Sequence, residues 1–287
     1  MQFNPVLKKV AFFFVSSFFL FAGCKKGATN TLSDADDNGG YASDASKIEW
    51  LNNDAISIVD AAGNYYNGVY MRHGDRTTTN PFGTCATVST DTLSSPHVLI
   101  IRFGDLNCQC LDGKNRRGTI MVSYDSTYTD SQQIHTITFQ NYYVDDQQFT
   151  GNIKVTRIDT TVVGDWYYKE TINDTLVTAP NQFITWKGAL VRKWLSGFNT
   201  GDRSDDVYSI SGDSKLTRAN GHFFDFAIQT PLQVALNCDY IESGVVTVTG
   251  YNGVRTLNYA TSSGATMGGC DNDALLYIGA AVYQIKL

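Results

Sequence analysis

Side chains that often perform chemistry are few in this sequence and widely spaced. Its four histidines, at positions 73, 97, 135 and 222, form no metal-binding pair of the H-E-x-x-H kind. There is no phosphate loop and no dinucleotide fingerprint, and the GDSK segment at 212–215 lacks the second glycine of a nucleophile elbow. These patterns therefore predict no catalytic residue and no cofactor.

Acidic segments supply oxygen atoms of the kind that bind hard cations. The segment 34–39 matches the first half of an EF-hand loop, but its twelfth position is Ala45 rather than Glu. The DND segment at 271–273 and the acids at 202, 205 and 206 form similar loops. A solvated acidic linker is the preferred interpretation of the first segment. Turns are preferred for the other two, because Asx side chains also make turns with their own backbone, and no metal site is predicted.

The N-terminus has the three parts of a secretory signal. Lys8 and Lys9 form its basic region, and the apolar run VAFFFVSSFFLFAG is too short for a comfortable membrane span. The FAGC segment at 21–24 resembles the lipobox of bacterial lipoproteins, in the looser form of Bacteroidota. That resemblance implies that residues 1–23 are removed and that Cys24 is acylated. The alternative is an ordinary cleaved signal with an unmodified cysteine.

The resemblance also implies a cellular location for the protein. No Asp follows Cys24, so the inner-membrane retention signal of enterobacterial lipoproteins is missing and the outer membrane is expected, with the domain facing the periplasm or the surface. Residues 24–43 are polar, Gly-rich and acidic, which predicts a flexible tether. The chain has a net charge of −6 and no basic patch, so we expect a membrane partner through the lipid and no nucleic-acid partner.

After the tether, residues 44–287 are expected to form a single β-rich domain. One helix is predicted at 46–62, where Ser46 and Glu49 match a capping box and apolar residues follow at helical spacing. We expect this helix to pack on the edge or the open face of a sheet. Segments such as TIMVSY, GNIKVTRI and VVTVTGY alternate with turn pairs, which predicts a mainly β fold, an antiparallel meander curved like a sandwich or half-barrel.

Three local features extend this prediction. The segment 184–206 is expected to interrupt the strands, with Trp186 and Trp194 sealing one end of the core. Arg116 and Arg117 follow a turn and are expected to be a solvated pair, with clamping of a sugar carboxylate as the other possibility. The segments around 64–180 and 205–287 each place two cysteines around strands, which indicates two duplicated halves.

The five cysteines after the lipobox predict disulfides, because an exported protein permits them. Cys238 and Cys270 are expected to pair, since no third cysteine lies near them. In the other group, Cys85 has two candidate partners, Cys108 and Cys110, whose spacing is shorter than that of zinc sites.

A larger resemblance covers most of the chain. The stretches CATVSTDT, IRFGDLNCQCLDGKNRRGTIMV, NCDYIESGVVTVT and GGCDNDALLYIG are similar to a group of uncharacterised Bacteroidota lipoproteins without an assigned activity. The resemblance places one cysteine before the D-G-x-x-R turn at the position of Cys108. It thereby implies a Cys85–Cys108 pair and a free Cys110.

The function is predicted from the absence of a recognised catalytic motif in the sequence and from its runs of aromatic residues. A lipid-anchored envelope protein that binds glycan or protein without catalysis is preferred, with a polysaccharide or lipid hydrolase and a purely structural component as alternatives. Neighbouring strand residues point to opposite faces, so aromatic runs place rings on both faces, and rings outside the core would suit sugar stacking. If these rings are not all core, the ligand-binding residues are Tyr142, Tyr143, Trp166, Tyr167 and Tyr168.

Overall fold

In the part of the chain that this computed structural model describes, alternating apolar and polar residues after position 86 form thirteen antiparallel strands, β1 to β13. The strands are Thr87–Asp91, His97–Gln109, Asn115–Tyr124, Ile134–Val144, Gln147–Ile158, Trp166–Ala179, Gln182–Ser196, Val207–Arg218, Phe223–Ala235, Ile241–Gly250, Gly253–Asn258, Asp273–Ile278 and Ala281–Lys286. One helix, α1 (Gly40–Asn67), precedes them. The structure describes residues 39–67, 80–125, 134–158, 166–197, 200, 202–260 and 269–287.

Each strand pairs with the next strand in the chain, so the sheet is a simple meander from β1 to β13. The predicted mainly β class and antiparallel meander with one N-terminal helix are confirmed, in one sheet that does not close into a barrel. Along β6, Tyr168, Glu170, Ile172, Asp174 and Leu176 are buried at every second position. This period of two places one face of the sheet towards the core.

Helix α1 lies inside the curve of the sheet. Every residue from 48 to 63 is buried, including the predicted stripe that begins at Ile48 and Leu51. The ring of Tyr41 stacks on Phe224 of β9 at 4.5 Å, and the Ile241 N–H of β10 donates to Ser46 at 3.4 Å. The expectation that α1 packs on an edge or an open face with a single apolar stripe was therefore wrong.

The helix is also longer than the predicted span of 46–62. It begins at Gly40, so residues 40–43 belong to the helix rather than to the tether. Ser46 and Glu49 lie inside the helix and make no capping box; Glu49 instead accepts hydrogen bonds from Asn53 at both its backbone and side-chain oxygens. Among the described residues, no helix is long and apolar enough to cross a membrane.

Buried charges join α1 to the sheet. The Asp54 carboxylate lies 2.8 Å from Arg116 of β3 and 2.8 Å from Arg203, in the turn before β8. Arg192 of β7 lies 2.7 Å from Glu170 and 3.8 Å from Asp60 of α1. Such pairs are costly to desolvate, so their benefit depends on both partners staying in place.

Two sequence expectations fail at these strands. Arg116 is buried and ion-paired rather than solvated, whereas its neighbour Arg117 is partly exposed on the outer face. The segment expected to interrupt the sheet contains β7, with Trp186 and Trp194 both buried. These tryptophans are separated by about 26 Å of strand, so they do not seal a common end.

Replacing Arg116 with Gln should destabilise the fold far more than replacing Arg117 with Gln. The first change leaves the buried Asp54 carboxylate short of a partner and should lower the free energy of unfolding by about 3–5 kcal/mol. The second removes a partly exposed pair with Asp146 and should cost about 1 kcal/mol or less. Urea unfolding of both variants measures the difference. Equal losses would show that the Arg116 pair does not hold the helix.

Candidate functional site

The structure separates the predicted aromatic residues instead of placing them on one surface. Tyr142 and Tyr168 are buried in the core, while Tyr143 and Tyr167 are half-buried on the outer face. Trp166 opens β6, and its side chain lies outside what the structure describes. The alternation of faces follows the strand period on which the prediction was based.

The two outward tyrosines lie far from each other. Tyr143 is paired with Gln148 of β5 and Tyr167 with Ile158, so ten residues of β5, about 30 Å, separate them. Each ring also has a cation above it, Arg117 at 3.8 Å from Tyr143 and Lys193 at 5.0 Å from Tyr167. The two rings therefore do not form a joint platform for a ligand.

Other aromatic side chains are more exposed, at the hairpin ends of β7 to β11. Phe183, Phe223 and Tyr251 are exposed, and the His222 ring stacks on Tyr251 at 4.0 Å. Sequence reasoning did not select these residues: Phe183 and Tyr251 occur singly, and Phe223 begins the FFDF segment that was used only as a strand signal. They lie at the ends of paired strands on one side of the sheet.

The cysteines lie where the sequence indicated. Cys85 is bonded to Cys108 and Cys238 to Cys270, and Cys110 is a free, buried cysteine. Each disulfide spans two consecutive strands, β1–β2 in one case and β10–β11 in the other. Duplication of the two halves stays a prediction. Cys24 lies outside the described residues.

The side chains of the acidic loops make hydrogen bonds within or next to their own turns. The Asp273 N–H donates to Asp271 at 2.9 Å, and Lys286 donates to Asn272 at 2.9 Å. Asp202 accepts from the Ser204 N–H at 2.8 Å. In the described part of the chain no group of His, Cys, Asp or Glu side chains could hold a metal ion. The EF-hand-like run lies outside the described residues up to position 38.

A half-enclosed pocket of about 320 Å³ lies where turns from both ends of the meander meet beside α1. We call it the seam pocket. Lys114 comes from the β2–β3 turn, Gln147 from the start of β5, and Asp239 from the β9–β10 turn, while α1 supplies Lys47 and Trp50. Pockets of about 300–1,000 Å³ are typical of small-molecule sites, so this one suits a small ligand.

Fixed polar contacts define one wall of the seam pocket. Lys114 lies 2.7 Å from Asp239 and places its ammonium 4.7 Å from the centre of the Trp50 ring. The Asn115 N–H donates to Asp145 at 2.9 Å, which orients a second carboxylate in the lining. Trp50 is 8% exposed, and its indole Nε1 has no hydrogen-bond partner among the described residues.

Sequence reasoning missed the seam pocket because its parts are far apart in the chain. One local signal was present: Lys47 and Trp50 are three residues apart on the predicted helix, which places them on one face. Their partners, Lys114 and Asp239, are separated by 125 positions. Only the coiling of the sheet brings those two turns together.

A shallower depression lies on the outer face of β6 to β9. It encloses about 830 Å³ but is broadly open to solvent, and small residues such as Gly188, Ala189 and Ala227 form its floor. Lys215 and Asp225 at its side are paired at 3.0 Å. Because it is broadly open rather than concave, it is a weaker candidate than the seam pocket.

Buried carboxylates form a second cluster, inside the sheet. Burial, reinforced by the neighbouring Glu170, raises the pKa of Glu49 to about 8, against the hydrogen bond from Asn53. Burial likewise raises the pKa of Glu170 to about 7, although Arg192 opposes the rise. Burial also raises the pKa of Asp174 well above its ordinary value.

Raised pKa values are common in active sites, but this cluster has little room for a substrate. The cavity beside Glu49, lined by Trp186 and Tyr259 among others, has a volume of about 10 Å³. That is at the lower limit for a single water molecule. The carboxylates are therefore groups of the core in this conformation.

Comparison of the chain with protein-family models, with curated proteins and with solved structures gives no match.

The buried carboxylates should make the protein less stable at higher pH. The raised pKa of Glu49 means that the folded protein holds more protons than the unfolded chain between about pH 4.5 and pH 8. The free energy of unfolding is therefore highest at the acidic side of this window and falls as the pH rises through it. Glu49→Gln stays neutral and keeps an acceptor for Asn53, so its stability should fall less steeply.

Urea unfolding at several pH values between 4.5 and 9 tests this expectation. Glu242→Gln, the same change at a half-exposed residue that accepts from Gln233, is the matched control and should keep the slope of the parent protein. If Glu49→Gln keeps that slope as well, the carboxylate is not protonated in the core.

Proposed function

We propose that this protein is a lipid-anchored cell-envelope protein that binds a saccharide in the seam pocket without catalysis. The observation that supports this most is the lining of the pocket, in which one tryptophan is surrounded by polar groups from four separate segments. A protein partner would be expected to use a broader surface than a pocket of about 320 Å³.

The chemistry of the lining fits a sugar better than an apolar ligand. Sugar rings combine apolar C–H faces, which suit aromatic rings, with hydroxyls that need hydrogen-bond partners. Trp50 supplies an aromatic surface, and Ser43, Gln147 and Tyr240 supply groups that donate and accept. These groups come from α1, β5 and the β9–β10 turn, so they surround a ligand from several sides.

The contacts of the acidic side chains in the pocket support binding rather than hydrolysis. A glycosidase needs two carboxyl groups on either side of the scissile bond, one of which must hold a proton. In the seam pocket, Asp239 pairs with Lys114 and Asp145 accepts from the Asn115 N–H. The carboxyl group of Glu49, whose pKa burial raises to about 8, lies beside a cavity of about 10 Å³ instead.

The position of the pocket fits an anchor at Cys24. Ser43, Ser46 and Lys47 at the start of α1 line the pocket, and the helix begins at Gly40. The chain between Cys24 and Gly40 spans at most about 58 Å when fully extended. A lipid on Cys24 would therefore keep the pocket within reach of glycans at the membrane surface.

Replacing Cys24 with Ala should abolish fatty-acid labelling and release the protein from the membrane fraction. The reason is that the thiol is the acceptor for the lipid, and an Ala side chain cannot be acylated. Cys110→Ala, which removes a buried cysteine of the domain, is the control and should leave labelling intact. A Cys24→Ala protein that still fractionates with the outer membrane would disprove the anchor.

Replacing Gln147 with Trp should abolish saccharide binding because the larger side chain fills the seam pocket. Gln148→Trp is the matched control, since the next residue of β5 points to the opposite face and does not line the pocket. The mature chain with Cys24→Ala would be titrated with neutral and acidic oligosaccharides, using tryptophan fluorescence for binding and released reducing sugar for turnover.

Three outcomes separate the functions. Binding that Gln147→Trp removes and Gln148→Trp retains supports the proposal. Release of reducing sugar would replace it with a hydrolase. Binding to none of the saccharides would reject it in favour of a structural envelope protein.

A further inference from the structure

We infer that the seam pocket selects a saccharide that carries a carboxylate, such as a uronic acid, over the corresponding neutral sugar. This inference rests on the proposed function, because it assumes that the pocket holds a sugar. It adds which group of the sugar is recognised and which side chains recognise it: Lys47, Lys114 and Trp50.

One positive charge is fixed in the pocket wall. Asp239 holds Lys114 on one side at 2.7 Å, and the Trp50 ring lies on another at 4.7 Å. An ammonium group has three N–H donors, and Asp239 needs only one of them. Lys114 is 23% exposed, so it remains accessible to a ligand oxygen while its position is held.

A second positive charge lies at the mouth of the pocket. Lys47 of α1 is exposed and lines the same cavity. Partial burial lowers the pKa of Lys47, and the ammonium of Lys114 lowers it further, against Asp44 and Asp145, which raise it. Two ammonium groups thus line the same cavity, and an anion bound between them would be attracted to both.

Trp50 supplies an aromatic surface beside these charges. It lines the pocket, and its ring lies 4.7 Å from the Lys114 ammonium. A sugar ring can stack its apolar C–H face on such a surface while its carboxylate meets the lysines.

The charged acceptors of the pocket are partly engaged, and this asymmetry decides the charge of the ligand. Asp239 is held by Lys114, and one oxygen of Asp145 by the Asn115 N–H. The charged donors left for a ligand are the two ammonium groups, while Ser43, Gln147 and Tyr240 serve the hydroxyls of the sugar. Two ammonium groups favour an acceptor-only group, and a carboxylate is the acceptor-only group that a sugar ring most simply bears.

Glucuronic acid and glucose test the inference because they differ only at C6. This carbon is a carboxylate in glucuronate and a hydroxymethyl group in glucose. Affinities of the mature Cys24→Ala chain for both sugars would be measured by NMR titration at low and at high salt. We expect glucuronate to bind at least tenfold more tightly than glucose at low salt, and high salt to reduce this preference.

The variants identify the lysines that produce the preference. Lys47→Gln, at an exposed position where misfolding is not expected, should reduce the ratio of the two affinities towards one, and Lys114→Gln should do the same. Lys154→Gln, which removes an exposed lysine from the outer face of β5, is the matched control and should keep the full preference.

The outcomes also separate this inference from the function on which it rests. Equal binding of both sugars, abolished by Gln147→Trp, would overturn the preference for a carboxylate and leave the binding function standing. A preference that survives Lys47→Gln and Lys114→Gln would overturn the assignment of the lysines. Failure of both sugars and of acidic oligosaccharides to bind would overturn both proposals.

Discussion

Two guanidinium groups meet one carboxylate between α1 and the sheet, where Asp54 lies 2.8 Å from both Arg116 and Arg203. The helix also has Glu49, Asp60 and several uncharged polar residues in the interior, so it cannot be treated as an apolar plug. An unpaired charge in such a place costs several kcal/mol, roughly, even after relaxation. Arg116 of β3 and Arg203 of the turn before β8 must therefore stay at fixed positions along the helix axis. This requirement restricts how α1 can slide or rotate.

The same restriction positions the seam pocket. Trp50 lies four residues before Asp54, one helical turn away, and Lys114 lies two residues before Arg116 on the partner segment. The ion pair between Asp54 and Arg116 thus fixes the helix and the β2–β3 turn relative to each other, with Trp50 and Lys114 in contact one turn along. The packing of the helix and the proposed recognition therefore depend on the same two segments.

The sequence predicted what depends on local periodicity and little of what depends on distant partners. Alternating residues were sufficient for the strand class, the meander and the opposite faces of Tyr142 and Tyr143, because strand geometry has a period of two. The burial of Arg116 and the full enclosure of α1 were missed, since both depend on residues of other elements. The aromatic runs misled for the same reason, as their rings are distributed over two faces and about 30 Å of strand.

The open sheet explains why a pocket forms at this place. In a closed barrel, backbone hydrogen bonds between the first and last strands would complete the wall, and side chains would have no gap to fill. Here β1 and β13 do not pair, and α1 occupies the interior, so turns from opposite ends of the meander approach each other over the helix. Contacts between two of these turns come from side chains, as in the Lys114–Asp239 pair. Because side chains meet less regularly than a backbone ladder, they leave a cavity of about 320 Å³ beside the helix.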